Sequence, residues 1–169
     1  MATRMTRGSR MATTAMKTRA GKTGSAGKKT RKAPSAAKTQ RTGASVSSFL
    51  AGAAGGQRLA DANALVEMME RATGEPAAMW GDAIVGCDTY TLRYADGRES
   101  DWPLVAFSPR RSAFVLYIGW RPHVDLLKAI GPHKTAGGCL HLKSLDGIDR
   151  PALQRLITAA GKTRKAASK

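Results

Sequence analysis

The first sixty residues contain no Asp or Glu, and no aromatic side chain precedes Phe49. Ala, Gly, Ser, Thr, Lys and Arg dominate residues 2–45, with only scattered Met. Such a composition buries too little apolar surface to offset backbone ordering, roughly 1–2 kcal/mol per residue. A disordered, low-complexity basic arm over 1–45 is therefore expected. Cysteine is also scarce: Cys87 and Cys139 are the two present, which excludes a disulfide framework and makes reduced thiols the expectation. No apolar run approaches the ~20 residues of a membrane helix, and no apolar leader segment is present. A cytoplasmic protein without membrane association is expected. The acid-free, Arg- and Thr-rich start also matches transit peptides in composition, but it lacks a clear amphipathic helix.

Positive charge, by contrast, is abundant and unevenly placed. The formal net charge is +16. Residues 1–41 carry twelve Lys and Arg and residues 162–169 four more, while the twelve in between are balanced by all twelve acids. The segment Lys29-Thr30-Arg31-Lys32-Ala33 recurs as Lys162-Thr163-Arg164-Lys165-Ala166, so 162–169 reads as a second basic tail. Arms of this kind suit polyanions, because each neutralised phosphate releases counterions without sequence preference. Lys28, Lys29, Arg31 and Lys32 are the candidate nucleic-acid contacts. A solvated tail that only aids solubility is the alternative.

The middle of the chain, 46–161, reads as one domain. Gly and Ser near Gly43–Ser48 and Gly52–Gly56 mark its boundary with the arm. Asp61 is placed to cap a helix running to about Ala72, with Leu65, Met68, Met69 and Ala72 on one face. Strands are expected at Asp82–Cys87, Tyr90–Tyr94, Trp102–Phe107, Ala113–Trp120 and Cys139–Lys143. The Asp96-Gly97 pair signals a hairpin turn between two of them. The Ala113–Trp120 segment is apolar on both faces, as in a strand covered on both sides or facing a partner. Pro122 opens a short helix, and Asp149-Arg150-Pro151 starts the last one, with Leu153, Leu156, Ile157 and Ala160 as its buried stripe. The expected fold is α+β, a small and mainly antiparallel sheet of about five strands flanked by helices.

Several stretches in this order resemble one family. They are Gly74-Glu75-Pro76, Met79-Trp80-Gly81, Ile84-Val85-Gly86, Arg93-Tyr94-Ala95, Gly97-Arg98-Glu99 and Asp101-Trp102-Pro103-Leu104-Val105. Phe107-Ser108-Pro109-Arg110, Leu116-Tyr117-Ile118, Gly131-Pro132-His133-Lys134-Thr135, Cys139-Leu140 and Asp146–Asp149 continue the series. Together they resemble the YdhG-like domain family over roughly Leu59 to Ala160. The resemblance implies a small α+β domain, and some of the family's members are described as frataxin-like and as intracellular iron chaperones. It carries no agreed binding residues. Gly138 stands where the family has a basic residue, Pro132 precedes His133, and the arm falls outside the likeness.

Three constellations could carry chemistry. His133, Lys134 and Thr135 offer donors to a phosphate or carboxylate, in a loop whose Gly131, Gly137 and Gly138 let backbone amides approach an anion. Cys139 and His141 lie two apart on a strand and share a face, an arrangement open to a soft or borderline metal but matching no structural zinc spacing. Asp82, Asp88, Asp96, Glu99 and Asp101 cluster around the first hairpin. Of these, Asp96, Glu99 and Asp101 are the candidate oxygen ligands for iron, with Arg93 and Arg98 among them. Trp80 and Trp102 are candidate ligand-contacting aromatics, with a role in core or rim as the alternative for them and for Trp120. The Gly-Lys-Thr triplets at Gly21 and Gly161 are not phosphate loops, because Met16 and Leu156 occupy the position of the motif's first glycine. No catalytic motif is present, and a non-enzymatic protein that binds iron or a small ligand is expected, with nucleic-acid binding through the arm as the alternative.

Overall fold

Helices and strands fill most of residues 39–168, the part that the computed structural model describes. Lys28, Lys29, Arg31 and Lys32 lie outside the described residues. The order is β1 (Arg41–Thr42), α1 (Val46–Ala53), α2 (Gly56–Thr73), β2 (Ala78–Trp80), β3 (Ile84–Arg93), β4 (Glu99–Arg110) and β5 (Ala113–Leu116). A single 3-10 turn at Arg121–His123 leads into α3 (Val124–Lys128), followed by β6 (Lys134–Ala136), β7 (Cys139–Leu142) and α4 (Arg150–Ala167). The strands form one sheet in the order β1-β2-β3-β4-β5-β7-β6, and every neighbouring pair is antiparallel. The α+β class with helices flanking an antiparallel sheet is as expected, and the sheet has seven strands.

The core lies between the sheet and the pair α2 and α4, which pack on each other and on β3 and β4. Leu65, Met68 and Met69 from α2 meet Leu153, Leu156 and Ile157 from α4 and, from the strands, Val85, Val105, Phe107, Phe114, Leu116, Leu140 and Leu142. Each such large side chain contributes roughly 1.5–3 kcal/mol by leaving water. The Asp149 side chain accepts the Ala152 N–H at 2.7 Å, the cap that the sequence signals.

Five expectations are corrected. Asp82–Cys87 and Tyr90–Tyr94 are not two strands but parts of one, β3. Asp88 sits between them at φ 57°, a left-handed conformation that Asp tolerates better than most residues. Its carboxylate accepts the Thr89 N–H at 2.7 Å and Lys165 Nζ at 2.8 Å, so the chain continues rather than turns. Burial pushes the Asp88 carboxyl up, but the Lys165 and Thr89 bonds outweigh it and hold it below its ordinary value. The strand expected over Ala113–Trp120 stops at Leu116, and Val115 and Tyr117 are half-buried rather than covered.

Asp61 does not cap α2, which begins at Gly56. It is buried, accepting Gln57 Nε2 at 3.1 Å and the Leu145 N–H at 3.0 Å. The Gly- and Ser-rich boundary forms α1, capped by Ser45, whose hydroxyl accepts the Ser48 N–H at 3.2 Å. Finally, residues 162–167 are not a free tail but the last turns of α4. Arg164 donates from Nη1 to Leu104 O at 2.9 Å and Tyr117 O at 2.7 Å, filling the gap where the β4–β5 ladder ends. Gly119 (φ +63°) makes room, since a Cβ there would lie 2.8 Å from Arg164 Nε.

Candidate anion-binding groove

The last two strands run short because glycines bend the chain on both sides of them. Gly131 has φ +96°, and a Cβ there would come within 2.6 Å of Gly147 O, so only glycine fits. That contact sets where the following Pro132-His133-Lys134 segment lies. Gly137 and Gly138, both at positive φ, turn the chain from β6 into β7. The β6–β7 register pairs Lys134 with His141 and Ala136 with Cys139. Along β7, Leu140 and Leu142 are buried while Cys139 and His141 are half-buried, so His141 stands on the face away from the core.

A groove of about 540 Å³ opens here, lined by Ser112, Ala113, Pro132, His133, Lys134, Thr135, Ala136, His141 and Lys143. Its size falls within the range of small-ligand sites. Its lining includes two imidazoles, two ammonium groups and two hydroxyls, and no carboxylate. His133 Nδ1 lies 2.8 Å from Gly131 O; a carbonyl can only accept, so Nδ1 carries the hydrogen. In the neutral ring Nε2 is then the lone-pair nitrogen, and in the charged ring it is a second donor. Among the described residues neither Lys134 nor Lys143 has an ion-pair partner.

No family model, curated protein or solved structure matches the chain. The geometry alone therefore ranks the candidates.

The groove brings together His133, Lys134 and Thr135, the candidate ligand contacts, with His141, whose strand position beside Cys139 was open to a metal; Cys139 does not line it. Trp80 and Trp102 are not part of it. Trp80 is buried and lines a separate cleft with Gln40, Arg41, Thr89, Glu99, Ser100 and Asp101. Trp102 belongs to a smaller cleft of about 220 Å³ with Tyr90, Tyr117 and Arg164.

The carboxylates of the first hairpin are engaged one by one. Glu99 Oε1 accepts Arg93 Nε at 2.8 Å, Asp96 Oδ2 accepts Arg98 Nε at 2.7 Å, and Asp101 Oδ1 accepts the Thr91 hydroxyl at 3.2 Å. Arg98 holds the Asp96 carboxyl below its ordinary value. Among the described residues no three His, Cys, Asp or Glu side chains converge closely enough to hold a metal ion, and this applies to Cys139 and His141 too. Cys87 is buried, and burial, reinforced by Glu70, pushes its thiol up to about 12, so it stays protonated and unreactive near neutral pH. No described helix is long and apolar enough to cross a membrane.

Sequence reasoning missed Ser112 and Lys143 in the groove. Each lies one residue beyond a strand end, and it takes the β5–β7 and β6–β7 pairings together to place them beside His133 and Lys134.

Proposed function

We propose that the domain is a non-enzymatic binding module for a phosphate-bearing or carboxylate-bearing ligand, held in the groove between β5, β6 and β7. The observation that carries this reading is the lining itself, cationic and hydroxyl-bearing with no carboxylate to repel an anion. Lys134 and Lys143 supply fixed charge, Ser112 and Thr135 supply neutral donors, and His133 supplies Nε2 in an orientation locked by Gly131. The test is titration of inorganic phosphate into the full chain, followed by the imidazole and backbone NMR resonances. Saturable shifts at His133, Lys134 and His141 that vanish in the His133→Ala/Lys134→Ala variant are expected. Shifts that never saturate, or that bypass these residues, overturn the reading.

Iron delivery is the reading that the YdhG-like resemblance supports. It finds no support in the hairpin carboxylates, since Arg93, Arg98 and Thr91 occupy them singly.

A further inference from the structure

The groove is the centre of a wider cationic surface that continues past its own lining. Sheet order places β4, β5, β7 and β6 side by side. Arg110 pairs with Ala113 across the β4–β5 turn. One step beyond the Phe114–Leu142 pair, Lys143 is level with Ala113 on the other side. Arg110, Arg111, Lys143 and Lys134 thus line one end of the sheet across three strand spacings, about 14 Å. All four are exposed. Among the described residues none of the four makes an ion pair. Arg58 of α2 makes the end rigid: its Nη2 donates to Arg110 O, its Nη1 donates to Lys143 O at 3.4 Å, and its guanidinium lies 4.5 Å from the Phe114 ring centroid. These contacts use backbone carbonyls and a ring face, so they hold the turn without neutralising any of the four cations.

We infer that this end of the folded domain binds the phosphodiester backbone of a nucleic acid, with one phosphate seated in the groove and its neighbours on the Arg110–Arg111 turn. The inference rests on the anion-binding reading of the groove and adds the partner. Duplex DNA offers one phosphate about every 1.7 Å of axis, counting both strands, so a ~14 Å row of cations faces several at once. A compact anion would leave Arg110 and Arg111 without a role. No Phe, Tyr or Trp side chain lines the groove, so contact is to the phosphodiester backbone, independent of sequence. Arg110, Arg111, Lys134 and Lys143 all belong to the described domain and lie outside residues 1–41 in the sequence.

The experiment uses the full chain and a short mixed-sequence DNA duplex, with affinity measured over a range of salt. Arg110→Ala/Arg111→Ala leaves the groove lining intact and removes two phosphate contacts. The slope of log affinity against log salt is expected to fall by about 2, with affinity near 0.1 M salt reduced on the order of 50-fold. A variant with Lys28, Lys29, Arg31 and Lys32 changed to Ala, made separately and in combination, should lower the slope by a further, additive amount. An unchanged slope in the Arg110/Arg111 variant, with binding lost only in the Lys28–Lys32 variant, overturns the inference. The failures are distinguishable. If phosphate still shifts His133 while the Arg110/Arg111 variant binds DNA like the parent, the groove binds a small anion and the nucleic-acid extension falls. If phosphate shifts nothing, the groove reading falls with it. An unchanged thermal midpoint in each variant confirms that folding is intact.

Discussion

The two ends of the sheet carry similar numbers of charged residues and handle them in opposite ways. At the β3–β4 hairpin, Arg93 pairs with Glu99, Arg98 pairs with Asp96, and the Arg98 guanidinium also lies over the Tyr94 ring, 5.1 Å from its centroid. At the other end, Arg110, Arg111, Lys134 and Lys143 find no carboxylate among the described residues. The hairpin therefore projects little net field, and the groove end projects a positive one. Charge counted along the sequence is not the same as charge left available once strands pair. Cross-strand register decides which ions are spent on each other.

The largest effect expected concerns what sits behind the groove end. Asp61 points inward, accepting the buried Leu145 N–H and lying 3.9 Å from Arg150 Nη2. Asp61→Ala strands that N–H and should destabilise the fold by about 3 kcal/mol, read from the urea midpoint. Asp61→Asn keeps an acceptor for Leu145 and should recover most of the loss. If Asn is as damaging as Ala, the charge facing Arg150 matters more than the hydrogen bond, and the groove end depends on an internal ion pair after all.

A smaller effect is expected at Arg58, which ties the β4–β5 turn to the end of β7. Arg58→Ala should lower stability by about 1–2 kcal/mol, from the lost carbonyl bonds and the lost stacking on Phe114. Phosphate affinity should fall with it, because Lys143 and the Arg110–Ala113 turn that carries Ser112 lose their common anchor. A variant that is fully stable but binds phosphate as before would show that the turn and β7 hold their places without Arg58.

Much of this fold was legible in the sequence because its long elements carry strong periodicity. The stripe of α4, its Asp149 cap and the Leu140/Leu142 alternation in β7 all appear where the pattern puts them. The misses have physical causes. β1, β2 and β6 are two or three residues long, too short for a period to register. Asp88 looks like a turn residue, but its side chain caps its own neighbour and keeps the strand going. Lys162–Ala166 repeats the basic composition of Lys29–Ala33, yet it follows a strong helical stripe, and its Arg164 satisfies two open carbonyls of the sheet. Of the groove, the His133-Lys134-Thr135 loop was visible as a donor cluster. Ser112, Lys143 and the Arg110–Arg111 turn became part of the same surface only through the β4–β5–β7 pairing.

The smallest effect expected is at the hairpin, and it tests the comparison most directly. The Arg93 and Glu99 side chains are 72% and 56% exposed, so water screens their attraction and holding two long side chains together offsets most of what remains. The double-mutant cycle of Arg93→Ala and Glu99→Ala should return a coupling of about 0.5 kcal/mol or less. The pair matters for charge rather than for stability. Removing Arg93 and Arg98 together frees Glu99 and Asp96 beside Asp101 and makes a nearly balanced hairpin strongly acidic. Anaerobic calorimetry with iron(II) should then show binding by the Arg93→Ala/Arg98→Ala chain that is stronger than that of the parent. If instead the parent already binds iron saturably, and loses it when Asp96, Glu99 and Asp101 become Ala, the arginines do not quench the carboxylates. The contrast between the two ends then fails, and iron delivery from the hairpin replaces anion binding as the better account of the domain.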